Sequence, residues 1–404
     1  MSAMNRRRFL ETTAAAGLAS LHSARGLTAP SDEDPLRVRA DFPVTAEQTY
    51  LNSCGVGPMS RAARDAVAAY ADEKMLLRNG RSRAQTKARA RTRFAELFGA
   101  DEDEVALLYS TSDGENVVVN AMDWKEGDNV VLDELHFVTS FVLYRELEKR
   151  TAVELRIVSA KGGRVPMEDF AARVDKKTRL LTVAWVSNRN GYRYDLPSLA
   201  ELAHDNGAYL YADGVQAFGT FPTNLHDEGV DFACGNGYKW LFADFGCAPL
   251  YVKKDHLGWL DPDRYGHGSV AENLPDLHFR LKDTAAKFEY ATPAYAAVAA
   301  MDAALGYLQK VGLARIEKHT VALAAELREG AKKLGFDVFT PPNNASPIVS
   351  FHHGFDPDHL REVLAKEKIA VTLREGGGLL RAGVAMFNNR SDVDKLLSVL
   401  SKVT

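Results

Sequence analysis

GNGYKWLFADFG, residues Gly235 to Gly246, places Lys239 between two aromatic residues, directly after the apolar run VDFACG. An ammonium in such a setting is costly unless it has a task. It can be a snorkelling side chain, a phosphate-loop lysine or an amine kept for covalent chemistry. A phosphate loop needs G-x-x-x-x-G-K followed by Ser or Thr, whose hydroxyl binds magnesium. Here Tyr238 separates Gly237 from Lys239 and Trp240 follows, so the nucleotide reading fails. The DFG at Asp244–Gly246 has no H-R-D loop before it, so it is no kinase motif. The chain contains no H-E-x-x-H and no paired C-x-x-C, so no metal site is expected.

Outward from Lys239, seven apolar runs read as buried strands: VALLYS, NVVLDE, ELRIVSA, RLLTVAWVS, AYLYAD, DFACG and APLYVKK. Helical stretches such as LPSLAELAHDNG lie between several of them, and that alternation predicts an α/β fold with a mostly parallel sheet. Upstream, SRAARDAVAAYADEKMLL follows a Ser60 cap, and TKARARTRFAELFG is closed by Gly99. After Pro293 two long helices precede an α+β segment containing SPIVSFHH, IAVTLRE and LLRAGVAMF.

In such sheets ligands bind at the carboxyl ends of the strands. Those ends deliver Ser110-Thr111-Ser112, Ser187-Asn188, Asp213, and Asn236 through Lys239 toward one edge. The set matches what pyridoxal 5′-phosphate (PLP) needs: an imine-forming lysine, a carboxylate for the pyridine nitrogen, phosphate donors and a flat group against the ring. Asp213, 26 residues before Lys239, can be the carboxylate. Thr111 and Ser112 open a helix, whose N-terminus suits a phosphate, and Phe137 can stack. Each has a plainer reading: Asp213 as a helix cap, Phe137 as core, Asn236 as a turn residue, Arg381 as a surface ion-pair partner.

The motifs TSDGENVVVN, DELHFVTS, WVSNRNG, ADGVQA, GNGYKWLFADFG, KFEYATP and LLRAGVAMFNNRSDVDKL occur in that order. Together they resemble the class V aminotransferase family of fold-type I PLP enzymes, which includes cysteine desulfurases, selenocysteine lyases, isopenicillin N epimerase-like proteins and kynureninase. The resemblance spans residues 40 to 402. It implies a large domain with a seven-stranded, mostly parallel sheet and a smaller C-terminal α+β domain. It further implies that Lys239 holds PLP and moves the α-proton, and that Asp213 pairs with the ring nitrogen. Gln216 and Asn188 would hydrogen-bond near the phenolic oxygen, and Phe137 would stack on the ring. Thr111, Ser112, Asn236 and Tyr238 would hold the phosphate. Thr292 would reach the phosphate of a neighbouring subunit, implying a homodimer with shared sites, and Arg381 would clamp the substrate carboxylate.

Desulfurases of this family carry a mobile cysteine before that arginine, but the corresponding stretch VTLREGGGLLR, Val371 to Arg381, has none. A persulfide-forming desulfurase is therefore disfavoured, and Cys54 reads as a small buried hydrophobe. The expected activity is aminotransferase chemistry on an amino acid or amino-containing compound. The alternatives are a C–S or C–Se lyase, an epimerase or a kynureninase-like hydrolase, and outside enzymes a silent binding or scaffold homologue. Tyr265 and His267, in DRYGHGS, are candidate substrate contacts.

The bulk numbers agree with a globular enzyme: 404 residues, 46% hydrophobic, 26% charged, net charge −4. Nothing global points to nucleic acid, and the basic run Arg78–Phe94 reads as a solvated helix face. NRRRFLETTAAAGLASLHSA has the layout of a twin-arginine signal, too short and weak for a membrane span. Export machinery as a partner and a periplasmic or secreted location follow as expectations. Three cysteines form no disulfide framework. The expected organisation is a signal at 1–29, an arm at 30–57, a PLP domain at 58–290 and a small domain at 291–404.

Overall fold

The computed structural model describes residues 34–78 and 80–403. The expected export signal, 1–29, lies outside them. No helix among the described residues is long and apolar enough to cross a membrane.

The seven apolar runs form one sheet. Its strands are β1 (Val105–Leu108), β2 (Asn129–Asp133), β3 (Glu154–Val158), β4 (Thr178–Ala184), β5 (Tyr209–Asp213), β6 (Phe232–Cys234) and β7 (Ala248–Val252). The order across the sheet is β1-β7-β6-β5-β4-β2-β3. Only β7 runs against the rest, pairing antiparallel with both β6 and β1. The runs are continuous because both faces are covered, so alternate residues feed opposite cores. In β2, Val131 joins one apolar cluster while Val130 and Leu132 join the other. This is the mostly parallel seven-stranded α/β architecture that the resemblance implies.

Helices α1 (Arg61–Met75) and α2 (Gly80–Phe98) start and stop where local chemistry dictates. The Ser60 side chain accepts from the Ala63 amide at 3.2 Å, and Gly99 closes α2 at φ +62°. The basic residues of α2 are not simply solvated, contrary to expectation. Arg89 and Arg93 pair with buried Asp302 at 2.9 and 2.5 Å, and Lys87 and Arg91 both pair with buried Glu289. They bind α2 to the helix Tyr295–Val311 and the chain before it. A buried carboxylate stripped of such partners would be strongly destabilising.

The C-terminal part is a four-stranded antiparallel sheet, β8 (Asp337–Val338), β9 (Ile348–His352), β10 (Thr372–Arg374) and β11 (Leu379–Gly383), in the order β8-β9-β11-β10. The arm is built into this unit. Thr49–Tyr50 pairs with Ile369–Ala370, and Leu51 sits in the small apolar core. The arm then turns to the lysine loop, where the Gly57 amide donates to the Tyr238 carbonyl at 2.7 Å. A Cβ at Gly57 would lie 1.9 Å from the Lys239 carbonyl oxygen, so only glycine fits this approach.

Candidate active site

Because β1, β4, β5 and β6 run the same way, their carboxyl ends open on one cavity of about 160 Å³. Asp213 ends β5, Asn188 follows β4, and Asn236, Tyr238 and Lys239 follow β6. Thr111 and Ser112 start the helix α3 (Thr111–Ala121) after β1, and Phe137 and Gln216 complete the wall. Nine of the expected positions thus surround one space.

Lys239 is 7% exposed and has no ion pair or hydrogen-bond partner for its amine among the described residues. Its ammonium sits 5.8 Å from the ring centres of both Phe137 and Tyr238. Burial brings its pKa down to about 8; the Asp213 charge opposes this and Arg381 adds to it. Asp213 is itself pushed up, chiefly by burial, with the Val215 amide (2.9 Å) and Lys239 working against the shift. Amine and carboxylate therefore share a poorly hydrated pocket, which brings the amine down and pushes the carboxyl up.

The cavity walls carry polar atoms with no partner: Asn188 Oδ1, Asn236 Oδ1 and Glu115 Oε1. Buried polar atoms are ordinarily satisfied, so a set of orphans on residues that line one space marks a ligand's place. At one end stands the N-terminus of α3, capped by Ser110, whose hydroxyl accepts from Asp113 at 3.2 Å. The free amides there and the Ser112 hydroxyl suit a phosphate, while the Thr111 hydroxyl donates to the Gly235 carbonyl at 2.8 Å. Tyr238, stacked on Phe245 with centroids 4.2 Å apart, flanks the same end. The residues present fit PLP: phosphate donors, a facing ring, a carboxylate and an amine.

Four expected residues stand outside the cavity lining. Arg381, 2% exposed, lies behind Asn188, donating to its backbone carbonyl at 2.5 Å, while its Nε has no partner. Thr292 is exposed and lines an adjoining cavity with Tyr109 and Gly246. Tyr265 and His267 are absent from the lining, and Tyr265 is exposed. Gln216 is engaged at both ends of its amide, giving to the Cys54 carbonyl (2.9 Å) and taking from Trp240 Nε1 (2.6 Å). That pair of bonds fixes how it faces the site.

Sequence reading missed Glu115. It is 4% exposed, lines the cavity, and accepts from the Ser140 hydroxyl at 2.9 Å. The usable signal was its spacing, three and four residues before buried Val118 and Val119, which puts it on the inner face of α3. Burial first, and the Asp213 charge second, push its pKa up from 4.5 to about 7. The folded state then holds a proton that the unfolded chain releases near 4.5, so stability falls as pH rises from about 4.5 to about 7. Cofactor-free Glu115→Gln is expected to equal the wild type at low pH and to exceed it by roughly 3 kcal/mol above pH 8. Urea unfolding at both pH values checks this; equal stability at high pH refutes it.

The pocket and sheet together define a PLP-dependent enzyme of fold type I. The class-V aminotransferase family profile matches residues 73–396, and the chain belongs to that family. A probable cysteine desulfurase of Methanothermobacter thermautotrophicus is 28% identical over 395 residues, covering 91% of this chain and 97% of that protein. The cystine C–S lyase C-DES, solved with its product cysteine persulfide, aligns with TM-score 0.83 at 21% identity over 90% of this chain and 99% of that one. A C-DES variant holding glycine covalently linked to PLP aligns with TM-score 0.84 at 22% identity, covering 91% and 99%. These relatives carry names for C–S chemistry, the first of the alternative reactions, rather than for transamination.

Proposed function

We propose that the chain is a C–S lyase that eliminates the sulfur substituent from a β-thio amino acid without forming a persulfide on itself. The observation that carries this is the turn between β10 and β11, Glu375 to Gly378, which approaches Arg381 and contains no thiol. Burial pushes the Cys247 thiol up to about 12 and Cys234 well above the usual range, so neither supplies a thiolate. Cys54 is fully buried. Sulfur that leaves the substrate has no protein acceptor and departs with its own substituent. The names of the relatives support the bond class, and the missing thiol separates this chain from persulfide carriers.

Bound in the cavity, PLP supplies an electron-withdrawing ring that stabilises negative charge on the substrate α-carbon. Arg381 takes the α-carboxylate on its planar fork. Lys239, whose amine burial brings down toward the neutral range, would remove the α-proton. Asp213 keeps the ring nitrogen protonated. The Cβ–S bond breaks with its electron pair on sulfur, which leaves as a thiol. With one water the balance is pyruvate, ammonium and that thiol.

The test scores products from S-substituted cysteines. Equimolar pyruvate, ammonia and thiol are expected. Alanine with a persulfide on Cys54 establishes a desulfurase instead, and amino-group transfer to an added keto acid without pyruvate establishes an aminotransferase.

A further inference from the structure

Glu115 stands one turn into α3 from Thr111, so the two share a helix face, and both line the cavity. On β5, Tyr211 and Asp213 point to one face of the sheet, the face on which α3 packs; Tyr211 and the α3 valines belong to the same apolar cluster. Two carboxyls, Glu115 and Asp213, are thereby brought to the wall of one space, 4% and 8% exposed. Ser140, near the start of the helix Val138–Thr151, lines that space too and donates to Glu115 Oε2 at 2.9 Å, while Oε1 has no partner. The other titratable groups about Glu115 are Tyr144 on that helix, Tyr211 on β5, Cys234 on β6 and Lys239 on the cavity wall. β1 and β7 bring apolar chains such as Leu108 and Leu250. Asp113, on its own helix, pairs with Arg264 at 3.3 Å. No arginine or lysine among the described residues pairs with Glu115. A buried carboxyl beside a second carboxyl, with no cation, is costly in its charged form unless something positive enters the space.

We infer that Glu115 is a second carboxyl for the cofactor ring, a positioning residue oriented by Ser140 that works with Asp213 on the positively charged ring nitrogen. In the empty pocket, burial and the Asp213 charge keep the proton on Glu115 up to about pH 7. A cationic ring nitrogen favours the ionised form, so seating the cofactor drives the Glu115 proton out to solvent. One carboxyl O–H bond breaks and a buffer base takes the proton. The ring is then met by two negative charges instead of one. The inference rests on the cofactor and not on which substrate bond breaks.

The test titrates cofactor-free full-length protein with PLP by calorimetry, in two buffers of different ionisation heat, which counts the protons exchanged. Attachment to Lys239 is common to the wild type and Glu115→Gln, so the difference between them reports Glu115. At pH 6 the wild type is expected to release roughly half a proton to one proton more than Glu115→Gln. A group whose pKa falls on binding strengthens binding as pH rises through its bound and free values. Wild-type affinity for PLP should therefore gain roughly 10-fold on that of the variant between pH 5 and 7, then hold level. Glu115→Asp, which keeps an acid, should restore part of the release. Equal proton counts in the wild type and Glu115→Gln overturn the inference. So does a Glu115→Gln variant that weakens PLP by one factor at every pH, the mark of packing alone. No substrate enters the experiment, so the C–S lyase reading stands or falls separately.

Discussion

Lys239→Ala protein is expected to lose the visible absorbance of covalently held cofactor and at least about a thousandfold in turnover, combining loss of the proton-transfer group with loss of cofactor attachment. The expectation follows from where the amine sits. It is 7% exposed, faces two rings at 5.8 Å and has no ion-pair partner among the described residues. A structural lysine so buried would be paired; this one is left reactive, its pKa brought down to about 8 by burial. Lys239→Arg should not rescue, because a guanidinium neither forms the imine nor releases a proton near neutral pH. Absorbance spectra and steady-state rates decide. An alanine variant that stays yellow and active places the chemistry elsewhere.

What the sequence made legible was chiefly what one segment determines alone. Seven apolar runs appeared as strands because both faces of a mostly parallel sheet are buried, and the sheet contains all of them. Asp213, Asn188 and Lys239 could be gathered because polar residues at parallel strand ends share an edge whatever the strand order. The illegible part depends on contacts between distant segments. The run Arg78–Phe94 looked solvated because its partners Glu289 and Asp302 are some 200 residues away. Glu115 looked like an ordinary polar helix residue, since a buried, partly protonated carboxyl has the same letter as an exposed one.

Asp213→Asn is expected to lower kcat about 10²- to 10³-fold with KM nearly unchanged, because the ring nitrogen loses the charge that keeps it protonated in a low-dielectric pocket. The carboxylate is well placed for that task. It is 8% exposed, ends a central strand, and is anchored by the Val215 amide at 2.9 Å. Asparagine keeps the shape and removes the charge, so the loss should appear in kcat. Asp213→Glu should recover part of it. Asp213 also raises both of its neighbours, Glu115 in the same direction as burial and Lys239 against the pull of burial. Removing its charge should therefore move Glu115 back toward 4.5 and Lys239 below 8. In cofactor-free protein the stability loss between pH 4.5 and 7 should narrow in Asp213→Asn, since Glu115 then ionises closer to its unfolded value. An asparagine variant with wild-type kcat and an unchanged pH–stability profile would show that Asp213 neither serves the cofactor nor feels Glu115.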